Sequence, residues 1–176
     1  FVMNQKRDLI YITETSLPTK SANIINSLKF CESLSNFFNV KILIPNNSLE
    51  INKIRKFYNL KKKFQIINLI NQNIESFKIR FIFCLKVLFK LIFERKNTII
   101  YGRSILSSML LTLINRKNYL ELHHTPNSFS KLFFKFILLL PQKKKLNLIL
   151  INKSLVNELK LIGINFIILD DGADFL

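Results

Sequence analysis

Apolar residues along the chain gather into short unbroken runs, and longer stretches with helical spacing separate them. Seven runs predict strands: Leu9–Thr13, Val40–Pro45, Phe64–Leu69, Thr98–Tyr101, Tyr119–His123, Leu146–Asn152 and Phe166–Leu169. Between them the spacing predicts helices over Ser21–Phe38, Leu49–Leu60, Ile74–Phe93, Ser104–Asn115, Phe129–Leu140 and Leu155–Ile162, the last closed by Gly163 as its cap. In the first helix Ile24, Leu28, Cys31 and Leu34 or Ser35 share a face. Runs such as LILI and FIIL hardly alternate, and strands covered on both faces need that pattern. Strands alternating with helices predict an α/β fold, a Rossmann-like layer sandwich with a mostly parallel sheet.

Composition narrows the partners. The 176 residues suit one domain better than two, and 27 basic against 11 acidic residues leave a formal charge of +16. Such a field draws polyanions and anionic lipid. The charge, however, is carried by 21 lysines and only six arginines, amid 20 asparagines and 26 isoleucines. Arginine is the preferred bidentate reader of bases and phosphates, so nucleic acid is not the expected partner. The triplet Lys61–Lys63 reads as a solvated turn. Cys31 and Cys84 have neither metal-ligand nor disulfide-framework spacing and read as core thiols in a reducing compartment.

Lysine or arginine interrupts every hydrophobic segment before it reaches the roughly 20 residues that span a bilayer. The opening FVMNQKRDLIYI has no secretory-leader pattern, so a cytoplasmic location is expected. The helices around Ser76–Phe93 and Phe129–Leu140 are unusually apolar and dotted with lysine. Packing against a sheet accounts for that, and so does contact with an anionic membrane, which the cluster Gln142–Leu146 would assist from the same side.

In an open parallel sheet, ligands gather beyond the carboxyl ends of the strands. Four segments there carry polar chemistry: TETSLPTKSAN, YGRS, HHTPN and DDGAD. The first has five hydroxyl residues from Thr13 to Ser21, suited to an anion or to sugar hydroxyls. It has no glycine, so neither a dinucleotide fingerprint nor a P-loop fits, although Lys20 and Ser21 are adjacent. His123 and His124 point to opposite sides of an extended backbone and cannot jointly chelate one metal. Glu121 shares a face with His123, which suits hydrogen bonding or proton handling. Arg103 is a candidate for an anionic substrate group or for pairing with an acid of the closing segment. Asp170, Asp171 and Asp174 suit turns and helix caps better than a cation.

These segments resemble the amino-terminal half of a GT-B glycosyltransferase of the large retaining family 4. The resemblance rests on LPTKSANIINSLKFCESLSNFFNVKILIP, IIYGRS, YLELHHTP and LILINKSLVNELKLIGINFIILDDGADF. It covers essentially the whole chain and about half of a complete enzyme. It implies an acceptor-side domain over residues 1–176, without the second Rossmann-like domain that holds most of the nucleotide-sugar site. Transfer of a sugar from a nucleotide-diphosphate donor to an acceptor hydroxyl, with retention of configuration, is the implied reaction.

By motif position the resemblance makes His123 the catalytic-site histidine. Ser21, Ala22, Asn23, Arg103 and His124 become substrate-binding residues, and Asp171, Gly172 and Asp174 the interdomain junction. No metal or cofactor is implied beyond the donor substrate. Implied partners are a glycan or lipid-linked acceptor, an anionic membrane at its inner face, and a companion donor domain. Asp171 stands where the family more often has proline. A noncatalytic basic α/β module binding membrane or polyanion is the alternative reading.

Overall fold

A computed structural model describes residues 6–159, 161 and 163–169. It contains β1 (Asp8–Ile12), α1 (Ala22–Leu34), β2 (Asn39–Ile44), α2 (Ile51–Phe57), β3 (Gln65–Asn68), α3 (Phe77–Ile92) and β4 (Ile99–Gly102). There follow α4 (Ile105–Leu113), β5 (Asn118–Leu122), α5 (Ser128–Leu139), a 3-10 turn at Pro141–Lys145, β6 (Leu146–Leu150), α6 (Ser154–Leu159) and β7 (Asn165–Ile168). The strands form one seven-stranded sheet in the order β3-β2-β1-β4-β5-β6-β7. Its resolved pairings run parallel, so the Rossmann-like α/β architecture stands. All thirteen elements expected from the sequence are present, with ends shifted by a few residues.

The chain packs as two compact units that divide at β4, one up to Ile100 and one from Tyr101. In the first, β1 and β2 are apolar on both faces because helices cover them: Ile10, Tyr11, Ile42 and Ile44 are fully buried, with Ile24 and Leu28 of α1 and Phe83 of α3. One polar contact lies inside this core. Tyr11 Oη and Ser27 Oγ are 2.9 Å apart, and Ser27 Oγ donates to Asn23 O at 2.9 Å, so neither hydroxyl is left unsatisfied. Cys31 and Cys84 are buried free thiols, as their helical positions predict.

The second unit closes around Met109, Leu120, Leu122, Phe134, Ile137 and Leu148. Ser104 caps α4 by accepting the Ser107 N–H at 3.3 Å, and Asn152 Oδ1 accepts the Leu155 N–H at 3.1 Å at the start of α6. Gly163 takes φ +69°, a left-handed conformation open to glycine, but α6 ends at Leu159 and Leu161 is already non-helical, so Gly163 does not cap the helix as expected; it shapes the turn into β7.

Two expectations change, and a third gains a constraint. The FIIL run of β7 is not covered on both faces: Phe166, Ile167 and Leu169 are 39%, 53% and 53% exposed. As the last strand of the sheet β7 pairs with β6 alone, so an unbroken apolar run there marks an edge rather than a centre. The Gln142–Leu146 cluster is not a free basic patch either. Its lysines belong to the 3-10 turn, where only Lys144 of the three is exposed, and the Lys143 ammonium lies against Gly163. The Lys61–Lys63 turn is exposed as expected, yet it is tied down through its backbone. Glu32 Oε1 accepts the N–H groups of Lys61 and Lys62, the latter at 2.9 Å.

Candidate active site

The second unit brings two of the sequence-predicted residues, Arg103 and His123, to the carboxylate of a third, Glu121. In β5, burial alternates strictly from Asn118 to Leu122, which puts Tyr119 and Glu121 on one face with His123 next in that row. The parallel register sets Tyr101 beside Tyr119 and Gly102 beside Leu120, so Arg103 follows next to Glu121. Glu121 Oε2 accepts the Tyr101 hydroxyl. Oε1 accepts Arg103 Nη2 at 2.5 Å and lies 2.5 Å from His123 Nε2.

The side chains of Glu121, Arg103 and His123 are 12%, 17% and 29% exposed, so this ion pair is largely shielded from water whereas the imidazole reaches it. Burial alone would push the Glu121 carboxyl up. The hydrogen bonds from Tyr101, Arg103 and His123, with the guanidinium charge, outweigh burial and hold it below the usual carboxylate value. Glu121 is therefore ionised at neutral pH and can only accept. Nε2 of His123 must then carry the proton of their shared hydrogen bond. In the neutral ring this leaves Nδ1 with its lone pair, able to accept a hydrogen bond.

His124 is exposed and takes no part in this cluster. Arg103 is anchored to Glu121, so its charge is already partly compensated before any anion arrives. Tyr101 was not singled out from the sequence. Its signal was its place in YGRS, one strand over from YLEL and two residues before Arg103.

The first unit builds a second polar site from the loop after β1. Leu17 bonds backbone to backbone with Asn46 and Ser48, its N–H donating at 2.9 Å and its carbonyl accepting at 3.1 Å. Tyr58 grips the same loop: its hydroxyl accepts the Thr19 N–H at 2.7 Å and donates to Thr19 O at 2.8 Å. Glu14 pairs with Arg80 of α3 at 2.9 Å. Beside the loop lies a cavity of about 410 Å³ lined by Glu14, Thr15, Ser16, Asn46, Ser48 and Asn73, among others. Ser16 Oγ is buried with no hydrogen-bond partner among the described residues. Amides, hydroxyls and one carboxylate already paired to arginine form a lining that matches sugar hydroxyls better than a phosphate.

Ser21, Ala22 and Asn23 follow this loop, exposed at the start of α1. Ser21 is the extended N-cap residue, with φ −61° and ψ 128°, but its side chain makes no capping bond. Asn46, Ser48 and Asn73 went unnoticed in the sequence because only the loops after the first, fourth, fifth and seventh strands were weighed. Their signal was the same strand-end rule applied to β2 and β3. A larger cavity, about 490 Å³, lies at the opposite ends of these strands against Lys6, Asp8, Lys41, Arg55 and Lys63. It is basic but sits at the amino ends, away from where parallel sheets build their sites.

Asp170, Asp171, Gly172 and Asp174, the expected junction, lie outside the described residues. Among the described residues no three of His, Cys, Asp and Glu come together as a metal set. No helix among them is long and apolar enough to cross a membrane. No protein-family model matches the chain. Nor does any curated protein match it significantly.

Proposed function

We propose that this chain is the acceptor-side half of a retaining glycosyltransferase, working with a donor-binding domain to move a sugar from a nucleotide diphosphate to an acceptor hydroxyl. The observation that carries the reading is the carboxylate of Glu121 at the end of β5, which holds His123 by Nε2 and Arg103 by Nη2. A histidine fixed by one nitrogen presents the other in a defined direction. That suits hydrogen bonding to a hydroxyl of the transferred sugar better than nucleophilic attack.

In this reading the polar cavity of the first unit takes hydroxyls of the acceptor, and Ser21, Ala22 and Asn23 border the donor side. The donor-binding domain supplies the groups that stabilise the departing diphosphate, and no metal or cofactor enters apart from the donor itself. An acceptor borne on lipid, with the protein peripheral at the inner face of the membrane, fits the basic and apolar exterior.

The test is transfer by the full polypeptide of the native reading frame, offered UDP-, GDP- and ADP-sugars with extracted lipid-linked acceptors. Donor-dependent product with retained anomeric configuration, lost in His123→Ala, supports the reading. Absence of donor binding in every combination overturns it and favours a noncatalytic basic module, for which the exposed apolar helices are the relevant feature.

A further inference from the structure

We infer that the outer face of α5 is a docking surface for an anionic lipid bilayer, on which the helix lies flat. Phe129, Leu132, Phe136 and Leu139 recur at intervals of three and four residues and so form a single stripe. They are 52%, 68%, 48% and 83% exposed. The opposite face is committed to the core through Phe134 and Ile137, both buried, so the stripe cannot turn inward. Phe133 bridges the two faces, with stacked ring contacts at 6.1 Å to Phe129 and 6.3 Å to Phe136 that brace the aromatic surface.

The charges choose the occupant. Lys131 and Lys135, one helical turn apart along an edge of the stripe, are exposed, and neither joins an ion pair among the described residues. No acidic residue occurs from Leu122 to Asn157. Glu158 of α6 is the one acid that shares a cavity with these two lysines. An apolar stripe edged by unpaired lysines matches acyl chains beneath anionic headgroups, with the lysine stems lying along the apolar surface and their amines reaching outward. A neutral apolar partner would leave both ammonium groups uncompensated. Since α5 starts five residues after His123, docking holds the His123 site at the membrane surface, where a lipid-borne hydroxyl would be presented. The inference does not depend on glycosyl transfer.

The experiment is co-sedimentation of the chain with vesicles of phosphatidylcholine mixed with phosphatidylglycerol, against vesicles of phosphatidylcholine alone. Binding is expected on the mixed vesicles only, weakening as salt is raised. The double variant Leu132→Glu/Leu139→Glu should lose at least about ten-fold in affinity. Lys131→Glu/Lys135→Glu should lose a similar factor, about five-fold or more per lysine. All four positions are exposed, so far-UV circular dichroism and the thermal midpoint should stay at the parent values.

Equal binding to neutral vesicles overturns the inference, and so does full binding by the leucine variant. Loss of binding in Phe89→Glu/Phe93→Glu, on α3 and at its C-cap, with the α5 variants intact, assigns the contact to α3 and overturns it as well. A self-associating chain that becomes monomeric in the leucine variant and ignores both vesicle types makes the stripe a protein interface instead. None of these measurements contains a nucleotide sugar, so failure here leaves the transfer reading to its own test.

Discussion

Glu121 Oε1 lies 2.5 Å from His123 Nε2, two residues further along the same strand row, while it also accepts Arg103 Nη2 at 2.5 Å. One oxygen thus couples the imidazole to a guanidinium, and the second oxygen is taken by Tyr101. The carboxylate is the hub, and removing its charge should be felt by all three partners.

The fold holds the Glu121 carboxyl below its ordinary value, so it favours the ionised form. Stability of this kind is fully present above the ordinary carboxylate value and is lost as pH falls through the lowered one. The thermal midpoint of the parent chain should therefore drop on acidification through that window. Glu121→Gln should be less stable at neutral pH by about 1.5–3 kcal/mol, the worth of hydrogen bonds to a charged group. Its midpoint should then fall less steeply in acid. Parallel slopes for the two proteins would remove Glu121 from the acid response.

The same contact fixes a tautomer. With an ionised acceptor at Nε2, neutral His123 should carry its proton on that nitrogen, and two-bond ¹⁵N–¹H spectra should place Nδ1 in the unprotonated range. In Glu121→Gln the amide can turn either its oxygen or its NH₂ toward the ring, so the preference should weaken or reverse. An unchanged tautomer in the variant would mean that another contact orients the imidazole.

Tyr58 makes two hydrogen bonds to Thr19, at 2.7 and 2.8 Å, across 39 residues of sequence. They hold the loop that walls the 410 Å³ cavity. Tyr58→Phe should cost about 1–2 kcal/mol, because both groups of Thr19 lose a partner. Amide exchange should quicken around residues 15–20 with the core strands unaffected, which hydrogen-exchange mass spectrometry resolves.

The period of the apolar residues made the strand and helix order legible, because each period answers to a burial requirement that holds locally. The Glu121–His123 pairing was legible for the same reason: two residues on one side of a strand share a face wherever the strand sits. Arg103 and Tyr101 joining that carboxylate was not, since it depends on β4 lying beside β5 in a particular register. The exposure of Phe166 and Ile167 was hidden as well, because an apolar run says what a strand tolerates, whereas its rank in the sheet says what covers it. How the lysine runs are anchored was hidden too. Lys143 turns toward Gly163 and Lys61–Lys62 are fastened by Glu32, contacts made by residues far away in sequence.

If the proposed transfer is correct, the two adjacent histidines should separate sharply. His123 is held by Glu121 and partly exposed, and His124 is exposed outside the cluster. His123→Ala removes a fixed polar contact to the reacting sugar and should lower kcat/KM of the full polypeptide by about 10²-fold, the scale of losing one oriented hydrogen bond. His124→Ala should stay within a few-fold of the parent. Glu121→Gln should fall between them, because the imidazole remains while its orientation loosens, and its loss should appear mainly in kcat. Equal losses at His123 and His124 would leave the Glu121 contact with no part in catalysis, since only one of the two rings touches it.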